Sequence, residues 1–252
     1  MNGDNPGLPY TEQHVELDST NNRAAQLAAD SNVPLPALIA AERQTAGRGR
    51  GANRWWSSDG ALTFSLLIDA TEDKLPAARW PLVSLAAALA IGDVLTGRLP
   101  QHDVRLKWPN DVYVGGRKIC GILVEAPPVR PARLIVGIGL NVNNSLREAP
   151  ADVQARATSM IDEAGHSFPR EELLHQIAAE FLELLPSIAS DVLPLLERWQ
   201  PLCLLTGRTV WIDVNGAEVI GRCAGIDATG ALLLHTIAEQ QRLFSGVVKR
   251  WE

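Results

Sequence analysis

Cysteine is scarce in this 252-residue chain, with three at positions 120, 203 and 223 and no CxxC pair among them. That excludes a complete disulfide framework. The five histidines are scattered, and neither HExxH nor GxSxG occurs, so zinc-protease and serine-hydrolase readings have no support. A GxxxxGK[ST] loop is also missing, which excludes the P-loop class. Long apolar runs are lacking. The longest, residues 81 to 95, is interrupted by Ser84, Gly92 and Asp93 and reads as too short to span a bilayer. The opening MNGDNPGLPYTEQ has neither the basic start nor the apolar run of a signal peptide or membrane anchor. A cytoplasmic protein with no membrane partner is expected. Nor is there an excess of positive charge: the net charge of -6 argues against a surface that coats nucleic acid. An anion would have to be held at a local site.

One stretch supplies that locality. GRGRGANRWW, residues 47 to 56, carries Arg48, Arg50 and Arg54, Arg43 precedes it, and no carboxylate intervenes between Glu42 and Asp59. Glycines let backbone amides approach a ligand, and guanidinium forks match phosphate or carboxylate. The paired tryptophans could cover a ring or shield the ligand from water. A solvated basic loop or an RNA-binding Arg-Gly fragment would carry the same residues.

Three further segments bear on the choice. KWPND, 107 to 111, places Lys107 at a strand end, with Asn110 and Asp111 following in a region where binding groups are often displayed. Lysine can neutralise phosphate, and an aspartate could hold Mg²⁺. Pro-Asn-Asp is equally good turn chemistry. GGRKICGILVE, 115 to 125, reads as a strand with Lys118 and Cys120 on one face and Ile119 and Gly121 on the other. Its internal glycine marks a close approach or a bulge, and Cys120 reads as a small buried filler. VGIGLNV, 136 to 142, is not a dinucleotide fingerprint, because VNNS and Pro150 follow where a helix should start. Its glycines fit a strand crowded by something against it, with Asn141 at its end.

Ser19-Thr20 ahead of NNRAAQLAAD reads as a capped helix whose hydroxyls meet the first-turn amides. Strands are expected at 37–42 and 61–68, a long helix from Pro81 to about Gly97, strands across 104–142, and a helix over 171–188. The order indicates an α+β fold, a central mixed or antiparallel sheet with helices packed on one face. After about Thr206, short strands divided by Gly-containing turns indicate a small SH3-like β-barrel. The expected organisation is a flexible start over 1–12, a catalytic domain over 13–203 and the barrel over 204–252.

Together these segments resemble the biotin–protein ligases, of the class II synthetase-like biotin/lipoate ligase group. QTAGRGR (44–50) is similar to that family's biotin- and phosphate-binding loop, KWPND to its central motif, and GGRKICGILVE to its lysine-bearing strand. VGIGLNV resembles the strand that follows, and STN at 19–21 its helix-opening signature. The resemblance implies that biotin attacks the α-phosphate of ATP, giving biotinyl-5′-AMP, and that a lysine of a biotin carboxyl carrier domain then attacks this mixed anhydride. It implies a biotin site of Ser19, Thr20, Asn21, Gln44, Gly47, Arg48, Gly49, Arg50, Lys118, Gly121 and Gly137. Arg48, Arg50, Lys107 and Lys118 would act on the phosphates, with Trp55, Asn110 and Asn141 on the adenylate side and Asp111 helping to place Mg²⁺. The glycine-rich loop is expected to close over bound ligand and keep water from the anhydride. Family members that repress transcription carry a winged-helix domain before the STN signature. Only 18 residues precede Ser19 here, so no sequence-specific DNA binding is expected. A lipoate ligase is the nearest alternative and a nucleic-acid-binding module the more distant one. Monomer and homodimer both stay open.

Overall fold

A computed structural model describes residues 8–56, 58–127 and 132–252. Residues 1–7 of the expected flexible start lie outside the described residues, but residues 10–12 do not fit that expectation. They open β1 (Tyr10–Leu17), which pairs in parallel with β2 (Ala37–Gln44). Between them lies α1 (Thr20–Ala28). β3 (Leu62–Asp69) follows, then α2 (Trp80–Arg98), with its proline in the first turn where a missing amide costs nothing. β4 (Val104–Lys107), β5 (Asp111–Val114), β6 (Arg117–Glu125) and β7 (Arg133–Leu140) complete a seven-stranded sheet in the order β1-β2-β3-β7-β6-β5-β4. All its pairings except β1–β2 are antiparallel.

Side chains alternate along these strands, so each sheet face has its own composition. Leu62, Phe64, Leu66 and Ile68 of β3 and Leu134, Val136, Ile138 and Leu140 of β7 join one large core with α2. The short helices α3 (Ala151–Gln154) and α4 (Met160–Ala164) precede α5 (Arg170–Ser190), which packs on α2, and α6 (Leu193–Trp199). Each fully buried large apolar side chain contributes roughly 1.5–3 kcal/mol. Helices do not keep to one face as expected. α1 covers part of the opposite face, where Ala24, Leu27 and Ala28 meet Ile39, Leu67 and Ile135 in a second, smaller cluster.

The segment including α2, residues 77–98, is long and apolar enough by length and composition to cross a membrane, contrary to the shorter run read from the sequence. Its most apolar window is 67% buried inside the protein.

A second, antiparallel sheet is formed by β8 (Thr209–Val214), β9 (Ala217–Ile226), β10 (Leu232–His235), β11 (Gln240–Leu243) and β12 (Val247–Trp251), in the order β11-β10-β9-β8-β12. It is welded to the first. Leu204 N–H donates to Leu106 C=O at 2.8 Å, and Trp108 Nε1 to Gly230 C=O at 3.0 Å. Val210, Ile212 and Leu232 belong to the same core as Phe64.

Candidate active site

On the face of the sheet opposite α2, small residues cluster at the middle. Two rows cross it: Gly121, Gly139, Thr63 and Ala41 lie side by side, as do Leu123, Gly137, Ser65 and Ile39. A β-carbon on Gly139 would lie 2.4 Å from the Trp55 ring, and one on Gly137 would lie 2.1 Å from Asn21 Oδ1. The glycines therefore admit Trp55 and Asn21 onto the sheet, the crowding that their spacing led one to expect.

Above the second row runs a buried polar network. Ser65 Oγ lies 2.6 Å from Asn21 Oδ1 and 2.7 Å from Thr20 Oγ1. Asn21 Oδ1 can only accept, so the single Ser65 proton goes there and Thr20 donates to Ser65. Thr20 N–H donates to Gln44 Oε1 at 2.8 Å, and Asn21 Nδ2 to Glu125 Oε2 at 2.8 Å. Ser19 and Thr20 thus do not cap α1: Ser19 holds the N-cap position without a side-chain bond to the helix. The network instead positions the start of α1 against the sheet.

Positive charge arrives from three other segments. The GRGR loop folds into a small hairpin, closed by an Arg48–Arg54 bridge and by Gly49 N–H to Asn53 C=O at 2.8 Å. Gly51, at φ +65°, makes the turn. Arg48 forms a bidentate pair with Glu125, both bonds 2.8 Å. Arg50 Nη2 donates to Gly246 C=O at 2.5 Å, and burial lowers its pKa. KWPND is the connection of the β4–β5 hairpin, so the turn reading and the display of charge hold together: Lys107 and Asp111 face each other in register. Lys118 Nζ reaches Asp111 Oδ1 at 2.5 Å. The pairing of β5 with β6 shifts between Val112 and Tyr113, a bulge that breaks strict alternation. Lys118 therefore shares the side of Gly121, with its ammonium 3.1 Å from where a β-carbon there would stand, and not the side of Cys120. Cys120 is buried, which pushes its thiol pKa up.

These groups surround one cavity of about 550 Å³, within the roughly 300–1,000 Å³ usual for small-molecule sites. Arg48, Arg50, Arg54, Lys107, Lys118 and Arg156 line it, against Asp111 as the sole carboxylate of the lining among the described residues.

The Biotin/lipoate A/B protein ligase family matches residues 15–143. The chain belongs to that family. It is 32% identical over 232 residues to the biotin--[acetyl-CoA-carboxylase] ligase of Paracoccus denitrificans, covering 90% of this chain and 95% of the relative. It is 31% identical over 240 residues to the bifunctional ligase/repressor BirA of Bacillus subtilis, covering 94% and 72%. Among solved structures, the biotin protein ligase of Aquifex aeolicus in complex with biotin and ATP superposes with a TM-score of 0.82 at 28% identity, covering 96% and 98%.

In this member of the ligase family, all the expected site residues except Gly47 line the cavity: Ser19, Thr20, Asn21, Gln44, Arg48, Gly49, Arg50, Trp55, Lys107, Asn110, Asp111, Lys118, Gly121, Gly137 and Asn141. Gly47 acts one step away, where a β-carbon would meet Trp55 C=O at 2.9 Å and block the hairpin. Asn110 and Asn141 spend much of their capacity inside the fold. Asn110 Nδ2 donates to Ile122 C=O at 2.6 Å, while Asn141 donates to Thr158 C=O and accepts from Asn144, both at 3.0 Å. Asp111 faces Lys118, and among the described residues no group of three or more His, Cys, Asp or Glu side chains could hold a metal. The side chains thus make no cage for Mg²⁺ by themselves.

Sequence reasoning missed Ser65, Glu125, Gly139, Tyr113, Arg156 and the strip Gly246–Val248. Gly139 was legible, since it shares strand parity with Gly137. Arg156 and Gly246 lie in segments with no motif around them, and only folding brings them to the cavity.

Proposed function

We propose that this protein is an ATP-dependent biotin–protein ligase acting on a lysine of a biotin carboxyl carrier domain. The observation that carries the reading is the convergence of Arg48, Arg50, Lys107 and Lys118, from separate segments, on one cavity floored by glycines and walled by the Thr20–Gln44–Asn21 network. Joining a carboxylate to ATP brings two anions together, and this otherwise acidic chain gathers its cations where they would meet. An oxygen of the biotin carboxylate attacks the α-phosphorus, the bond to the β-phosphate oxygen breaks, and pyrophosphate leaves. Fixed guanidinium and ammonium groups oppose the developing charge without rearranging. The acceptor lysine, as a free amine, then attacks the acyl carbon, AMP departs with the electron pair of the anhydride bond, and the nitrogen releases a proton to solvent as the amide forms.

Two features of the cavity bear on ligand binding. Arg48 is tied to Glu125, so an anionic ligand enters in competition with a carboxylate already there. Among the described residues the buried Trp55 indole N–H has no partner, a donor that a ligand acceptor would satisfy. The names of the relatives, biotin ligases acting on acetyl-CoA carboxylase, favour biotin over lipoate.

The test is pyrophosphate exchange into ATP with biotin or lipoate, followed by mass spectrometry of a carrier domain after incubation with biotin and MgATP. Biotin-dependent exchange and a single biotinyl addition on one lysine are expected. Exchange supported by lipoate alone would move the protein to the other branch of its family, and no exchange with either acid would overturn adenylation. Amide exchange across residues 45–56 should slow with biotin and slow again with biotinyl-5′-AMP if the loop closes as expected.

A further inference from the structure

Among the four cations, Lys107 is held differently. Arg48 is paired with Glu125, Lys118 with Asp111, and Arg50 with a carbonyl. Lys107 is buried, and among the described residues no carboxylate pairs with it. Its ammonium instead stands 4.6 Å from the Trp251 ring centroid and 5.3 Å from that of Tyr113, with the Tyr113 hydroxyl at 3.3 Å. The two rings meet edge to face, 86° apart in plane with centroids separated by 6.0 Å. Trp251 is the last residue of β12, and the strand end is pinned by reciprocal bonds between Thr209 and Glu252 at 3.0 and 3.1 Å.

A carboxylate would fix the ammonium but cancel its charge. An aromatic face attracts a cation through the ring quadrupole and leaves the full charge available to a phosphate. Bare burial would be costly for an ammonium, and the two rings and phenol offset that cost while setting its direction. Resting on the adenylation reading above, we propose that Trp251 is a positioning residue for Lys107. With Tyr113 it forms a cage that orients the ammonium toward the triphosphate without neutralising it. Through Trp251 the C-terminal sheet thereby acts on ATP binding and adenylation.

The experiment compares the full-length wild type with Trp251→Leu, which keeps apolar bulk, and Trp251→Phe, which keeps a π face. Three quantities are read: biotin-dependent pyrophosphate exchange against MgATP concentration, biotin affinity by calorimetry, and single-turnover transfer from preformed biotinyl-5′-AMP to a carrier domain. Trp251→Leu should raise the KM for ATP roughly tenfold, and Trp251→Phe should recover most of it. Biotin affinity and transfer should not change. In a Lys107→Ala background, Trp251→Leu should add nothing further. Equal losses in Leu and Phe variants, a further loss without Lys107, or parallel losses of biotin affinity and transfer would each overturn the cage. Should Trp251→Leu fail to fold, stepwise fluorination of a tryptophan placed at 251 weakens the ring's negative face while keeping its shape. The KM for ATP should then climb with each fluorine, and a flat series would overturn the proposal. A wild type with no biotin-dependent exchange would instead sink the adenylation reading on which the cage rests.

Discussion

On one face of the central sheet β3 presents Leu62, Phe64, Leu66 and Ile68, and on the other Thr63, Ser65 and Leu67. β7 repeats the pattern, with Val136 and Ile138 toward α2 and Gly137 and Gly139 toward the cavity. The strands are shared, so backbone pairing cannot account for the difference. The apolar face is filled by its own helices. The opposite face is covered by α1 around Ile39, Leu67 and Ile135, and beyond that small side chains leave room for Trp55, Asn21 and a ligand. One face is spent on stability, the other on a shaped space with satisfied polar walls.

Breaking the apolar side should have the largest effect. Phe64→Ala empties a fully buried position and should cost about 3–5 kcal/mol, read by chemical denaturation, with biotin affinity of the remaining folded protein little altered. Lys118→Ala and Arg48→Ala test the reverse: each should raise the adenylation barrier by about 2.7–4 kcal/mol while the melting temperature stays close to wild type. Near-normal turnover in both variants would mean that the cavity is not the reaction site.

Gly137→Ala sharpens the comparison, because it adds only a methyl group on the cavity face. Its β-carbon would collide with Asn21, a residue held by Ser65 and Glu125, so about 1–3 kcal/mol of stability and a larger share of biotin affinity should go together. Loss of stability with undiminished biotin binding would remove the Asn21 network from the site.

The smallest effect is expected from acid. Hydrogen bonds from the Arg23 guanidinium, assisted by Tyr10 and His14, hold the Glu12 carboxyl at about 2, beneath its usual 4.5. A carboxyl with a depressed folded pKa stabilises the fold above its unfolded pKa, and that contribution is lost as pH falls from 4.5 toward 2. Glu12 and Arg23 clamp β1 to α1. Once the intrinsic pH dependence of amide exchange is divided out, the protection of α1 should therefore fall between about pH 5 and 3, by about 1 kcal/mol after allowing for solvent screening, while that of α2 is unmoved. Equal loss of protection in both helices would erase the distinction between the faces.

Much of this architecture was legible in residue order. The loop at 47–55, the hairpin turn at 107–111 and the strand glycines at 121 and 137 stand out locally, through charge, turn chemistry and a period of two. What failed to read were features that depend on register. The bulge in β6 moves Lys118 to the side of Gly121, because alternation assumes an unbroken ladder and cannot signal where the partner strand slips. Ser19 and Thr20 have good capping chemistry, yet Gln44 and Ser65, distant in sequence, draw Thr20 into a buried network instead. Asn110 and Asn141 look like ligand groups, and their amides are largely engaged by neighbouring backbone.

By itself the sequence determined which strands have one apolar and one small-residue face, and which short segments carry concentrated positive charge. Both follow from neighbours within a few residues. Tertiary structure alone decided what each cation meets: a carboxylate for Arg48 and Lys118, a carbonyl for Arg50, and aromatic rings for Lys107, one of them from the last strand of the chain. Such pairings depend on strand register and on the docking of the second sheet, which are set by packing among distant segments and leave no local pattern to read.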